Sequence, residues 1–218
     1  MRHLSLLAAA CIAAPALAGE TTLELSETGT VTVDADRMVA VLRAESTGPD
    51  IAAIQSALNR VVEEGLRQAH ASSAIEVTTG NYNVNHGSDP KIWTASQGLI
   101  LRGADFPQVM ALASKLQQAN WALVQMTPDL SAAKRAQSAQ RATELAIAAL
   151  KQSADNAARA LGGHVVGFAN IQLNDLSRRN VIVRMSAAAS VAVPGPSFEP
   201  EGQAVTVIAN GKATVEIP

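Results

Sequence analysis

The chain has almost no cysteine: one in 218 residues, Cys11. That residue lies within the first eighteen, MRHLSLLAAACIAAPALA, which read as an export signal. Arg2 gives a positive start, and Leu4 to Ala14 is small or apolar apart from Ser5. Pro15 breaks the run, and Ala16-Leu17-Ala18 forms an A-x-A cleavage site before Gly19. The apolar run is eleven residues long, whereas a bilayer-spanning helix needs ~20. Acylation of Cys11 is the lesser reading, because Ala8-Ala9-Ala10 lacks the leucine usual three residues before a lipidated cysteine. Cleavage leaves residues 19–218 with no thiol. That excludes disulfides, thiol nucleophiles and zinc–thiolate sites.

Aromatic residues are equally scarce, with two Trp, one Tyr and three Phe. After loss of Arg2, 16 basic residues face 19 acidic ones, a net charge of −3. Such a chain has neither the positive field nor the stacking surface for nucleic acid. No later apolar run reaches membrane-spanning length. These features predict a soluble periplasmic protein, with outer-membrane association as the further option.

Catalytic patterns are missing too. There is no G-x-S-x-G elbow, Walker loop or dinucleotide-binding glycine fingerprint. Three histidines remain after cleavage. His70 falls at a helix end, where a cation complements the dipole, and His164 follows Gly162-Gly163 at a strand start. His86 lies in the turn-forming stretch Asn85 to Pro90. None has a second histidine at the i, i+4 spacing of a helical metal site. Asp34 and Asp36 would share one face of a strand and could hold a cation, but no further acidic ligand lies nearby. A solvated turn is the simpler reading. The expectation is a non-enzyme with no cofactor and no metal. A ligand site is conceivable at Trp93 and His86, on the rim of the 85–90 loop. Ser96, His86 and Asp89 form a remoter hydrolytic alternative, resting only on closeness in sequence.

What is present is a clear alternation of patterns. Thr21–Leu25, Thr30–Val33 and Met38–Ala44 read as strands, punctuated at Gly29 and at residues 34–36. Asp50 caps a helix whose apolar face is Ile51, Ile54, Leu58, Val61, Val62 and Leu66. Ile75–Val84 and Ile92–Arg102 alternate as strands. Asp105-Phe106-Pro107-Gln108 opens a second helix with a capping box. Trp121–Met126 is a short strand closed by Thr127-Pro128. From Ser131 to Leu161 runs one long helix with twelve alanines, about 45 Å at 1.5 Å per residue. Alanine favours helix but buries little area, so such a helix gains by close approach to its neighbour. Val165–Leu173, Val181–Val193 and Val205–Ile217 complete the strands, with a Pro194-Gly195-Pro196 linker before the last. Asn210-Gly211 is a hairpin signal, but one long strand with a bulge at Gly211 is preferred.

This order predicts an α+β fold: mixed or antiparallel sheets with two shorter helices and one long alanine-rich helix. The mature chain reads as one domain, with an optional pair of strand–helix–strand–strand halves meeting near residue 127.

Several segments carry a resemblance. Asn81-Tyr82-Asn83-Val84, Trp93-Thr94-Ala95-Ser96-Gln97, Asp105-Phe106 and the helix segment Ala157-Ala158-Arg159-Ala160-Leu161-Gly162 occur in order. With Val205-Thr206-Val207 and Val215-Glu216-Ile217 they resemble the SIMPL-domain family, periplasmic or outer-membrane immunogenic proteins of unknown function. The resemblance implies an α+β fold, export, self-assembly into homo-oligomers and a loose link to stress tolerance. It brings no catalytic residues. A self-assembling envelope protein is therefore the expected function, with a periplasmic binding module as the alternative.

Overall fold

A computed structural model describes residues 19–86, 89, 91–176 and 202–218. Residues 1–18, expected to be an export signal, and the expected strand Val181–Val193 with its linker lie outside the described residues. Ten elements follow in order: β1 (Gly19–Val33), β2 (Arg37–Gly48), α1 (Ile51–His70), β3 (Glu76–His86), β4 (Trp93–Gly103), α2 (Phe106–Gln118), β5 (Trp121–Asp129), α3 (Ala132–Ala160), β6 (His164–Asp175) and β7 (Gln203–Ile217). The fold is α+β, with every resolved strand register antiparallel. Among the described residues two compact units emerge: 19–30, 141–176 and 206–218 form one, and those between 31 and 140 with 202–205 the other.

The second unit carries a four-stranded sheet in the order β3-β4-β2-β5. Its chain order is strand, helix, strand, strand, helix, strand. Each strand–helix–strand passage skips one place in the sheet, and the skipped strand runs antiparallel to both neighbours. This is the split β-α-β, or ferredoxin-like, arrangement. Alternation places Met38, Ala40, Leu42 and Ala44 of β2 on one face with Leu99 and Leu101 of β4. Ile54, Leu58 and Val62 of α1 and Val109, Leu112 and Leu116 of α2 cover that face, forming one core with Trp121. Both helix starts are capped as expected. Asp50 accepts from the amides of Ala52 and Ala53, and Asp105 from that of Gln108. The Gln108 side chain donates to the Asp105 carboxylate at 2.8 Å, in place of reaching the cap backbone. β5 continues through Pro128 to Asp129, longer than the expected strand; it is an edge strand, where a missing N–H is tolerated.

The segment 34–36 links β1 and β2; Asp34 is exposed, as a solvated turn would have it, but Asp36 is tied down. The Asp36 carboxylate accepts from both the amide and the hydroxyl of Ser131, each at 2.6 Å. Ser131 in turn caps α3 by accepting from the Lys134 amide at 3.2 Å. Asp129 binds Arg37 at 2.7 Å and Arg135 at 2.5 Å. Sequence distance hid this cluster, because Asp36 and Ser131 are 95 residues apart.

The first unit carries a three-stranded sheet, β1-β7-β6. Thr30 meets Thr206, and Glu24 meets Lys212; the opposite order of these pairs makes β1 and β7 antiparallel. β1 does not break at Gly29, as the glycine suggested. A Cβ there would lie 2.0 Å from the Ala142 carbonyl oxygen and 2.5 Å from the Ala146 nitrogen. Gly29 is therefore the point where the backbone of α3 touches the strand. Every fourth residue of α3 is buried, Ala142, Ala146, Leu150, Ala154 and Ala158, a straight ridge of i, i+4 positions. Leu150 fills the space above Gly211 and packs with Ala209, Leu25 and Phe168. The helix stops at Gly162, whose φ is +79°. Gly163 donates to the Ala158 carbonyl and Gly162 to that of Arg159, a Schellman motif. β7 is one continuous strand, as preferred. The bulge lies on its partner: between Ala169 and Gln172, β6 carries one residue more than the facing stretch of β7 around Gly211.

Two stability outcomes follow. Gly29→Ala would relieve backbone entropy in an open strand, but here it meets unyielding backbone and is expected to destabilise by about 1–3 kcal/mol in a urea melt. Burial pushes the Asp36 carboxyl up, yet the Ser131 hydroxyl and amide, with Lys134 nearby, outweigh it and leave the pKa below the ordinary 3.8. A carboxyl with a lowered folded pKa stabilises above its unfolded pKa and loses that contribution as pH falls through the folded value. Asp36→Ala is expected to lose about 1–2 kcal/mol at pH 7 and to show a shallower fall in stability below about pH 4, read by thermal melts across pH.

Candidate functional site

The sequence placed its ligand candidates at Trp93 and His86. Antiparallel pairing sets these two residues directly opposite one another at the hairpin end of β3 and β4, next to the connecting loop. Cross-strand partners share a face, and the rings meet with centroids 3.5 Å apart and planes tilted by 36°. Trp93 is half-buried and packs against the four-stranded core, while His86 is exposed. The pair forms a small aromatic platform with one edge in solvent.

The hydrolytic set is not assembled. Ser96 is three residues from Trp93, so it points to the opposite face of the sheet from the Trp93–His86 pair. It is buried to 7% exposure, opposite Glu45 and Asn83. Asp89 is spent locally: its carboxylate accepts from the Lys91 amide and its carbonyl from Ile92. The remaining histidines are dispersed. His70 closes α1 and His164 begins β6 beside Glu216 at 3.7 Å. Among the described residues no group of three His, Cys, Asp or Glu side chains converges to hold a metal. Trp121 is a core anchor, its indole nitrogen lying over Gly65 of α1.

A feature that sequence reasoning missed is the surface of β6. This strand has β7 on one side and, among the described residues, no strand on the other. It exposes Val166, Ile171 and Leu173 at 55%, 45% and 46%. The sequence pattern marked Val165–Leu173 as a strand, and only the topology leaves β6 at an edge among the described residues. Two register shifts interrupt it, at 165–167 and 169–172, and Asn170 takes a positive φ of 53°. The regular stretches are therefore short.

The profile of a family described as protein of unknown function (DUF541), SIMPL, matches residues 23–217. The chain belongs to the SIMPL family. That span includes both sheets and all three helices, so the family pattern describes the two units together. No curated protein matches the chain. Among solved structures, a de novo designed protein, Foldit4, is similar at 14% identity, covering 42% of this chain and 96% of the design with a TM-score of 0.27. The SIMPL description supplies no activity, and function rests on this chain's own surfaces. Among the described residues, no helix of this SIMPL protein is long and apolar enough to cross a membrane.

Because Trp121 is buried at 2% exposure, a change in emission on His86→Ala reports Trp93. That substitution is expected to alter the emission while lowering stability by less than about 1 kcal/mol. An unchanged spectrum would mean that the rings do not meet in solution.

Proposed function

We propose that this SIMPL protein is exported to the periplasm and associates with copies of itself, serving the cell envelope without catalysing a reaction. The observation that carries the reading is β6, which among the described residues is an edge strand with three exposed apolar side chains. An unpaired edge offers backbone donors and acceptors to another chain, and apolar side chains reward their own burial. The two bulges restrict pairing to short stretches, which favours a closed assembly over open-ended stacking. The export signal in residues 1–18 supports the compartment, and the family resemblance supports a role in stress tolerance. The Trp93–His86 platform favours a second reading, a binding module whose ligand stacks on the tryptophan.

The test is light scattering on residues 19–218 as they elute from a sizing column. A discrete mass of several subunits is expected, falling toward the monomer when Ile171→Lys and Leu173→Lys place charge on the edge. A wild-type monomer at high concentration would sink the assembly reading. Quenching of Trp93 by a small envelope metabolite, with no change in mass, would favour the binding module.

A further inference from the structure

The outer face of the three-stranded sheet, turned away from α3, is polar. Glu24 and Ser26 are two apart on β1, as are Asn210 and Lys212 on β7, so each pair shares that face. Gln172 of β6 stands opposite Asn210, and Ala169 stands opposite Lys212. Ala169 has a single-carbon side chain, and just beyond it β6 bulges through Asn170. The small side chain and the bulge together open a cavity of 370 Å³ whose polar lining is Glu24, Ser26, Asn170, Gln172, Asn210 and Lys212, with Leu25 and Gly211 between them on β1 and β7. That volume lies in the range of small-ligand sites.

The chemistry of the lining narrows the ligand. Lys212 donates to Glu24 at 2.5 Å, so the two charges compensate and the cavity offers no net field to an ion. The Ser26 hydroxyl and the side-chain amides of Asn170, Gln172 and Asn210 make no side-chain hydrogen bond among the described residues. Each amide both donates and accepts. Three amides and a hydroxyl around a neutral cavity complement a ligand whose neighbouring groups also do both. Vicinal sugar hydroxyls have that property, as does an acetamido substituent.

The geometry points to a saccharide-binding site on the outer face of the β1-β7-β6 sheet, taking a neutral sugar through Asn210, Gln172, Asn170 and Ser26. The cavity is built within one chain, so sugar binding and self-association are read separately, by heat and by mass.

The experiment is isothermal titration of residues 19–218 with N,N′-diacetylchitobiose and with maltose, neutral disaccharides with and without acetamido groups. Saturable binding of one of them at about 1 mM or tighter is expected. Asn210→Ala and Ser26→Ala, both away from the β6 edge, are expected to weaken it about tenfold each. Circular dichroism and the mass from light scattering should stay at wild-type values for both. No saturation by either sugar up to about 10 mM overturns the proposal. So does binding that both folded variants retain in full, or saturation by glutamate or inorganic phosphate alone.

Discussion

The contact between the backbone of α3 and Gly29 decides how the first unit is put together. A helix usually rests on a sheet through side chains, which hold the two apart. Here the strand has no side chain at the crossing, and the helix presents Ala142 and Ala146. The backbones meet directly, and the close approach lets a ridge made mostly of alanine bury completely. Leu150 is the one large side chain in the ridge, and it lands where β7 has a glycine, Gly211. Small against small at one crossing and large against nothing at the next is a lock-and-key packing in two steps. The alanine content of α3 and the two glycines are thus parts of one solution.

The two ends of the chain depend on that solution. β1 and β7, from opposite termini, lie side by side beneath α3, with β6 beyond them. Sequence-distant strands pair only after a long loop has closed, so the packing of α3 must offset the entropy of bringing them together. Among the described residues the central place of β7 leaves β6 at an edge, and the bulges of β6 shape both faces of interest. They interrupt the edge that would meet another chain, and they open the polar cavity beside Ala169. The exposed apolar side chains and the cavity both belong to the same irregular strand.

The sequence read well where structure is local. Asp50 and Asp105 were legible as helix caps because a cap acts on amides two or three residues away. The four-stranded core was legible because alternation in β2 and β4, and three- and four-residue spacing in α1 and α2, follow directly from backbone geometry. Trp93 and His86 were named together from the loop between them, and hairpin register brings their rings into contact. Where glycine had two meanings, the reading slipped. Gly29 looked like punctuation, since conformational freedom is the commonest use of glycine, while its role is to admit a helix 113 residues further on. Asp36 looked solvated for a similar reason, because its partner Ser131 lies in another part of the chain.

Composition and pattern alone determined the helices, most strands, the caps, the stop at Gly162-Gly163 and that residues 19–218 hold no cysteine. Each depends on residues a few positions apart or on simple counting. Only the tertiary structure decided which strand sits at the edge, which glycine faces a helix, and which polar side chains share a cavity. These depend on sheet order, and sheet order is set by pairings between distant strands whose side-chain patterns look alike. Alternation shows that a strand has two faces; what covers each face is settled only when the chain closes on itself.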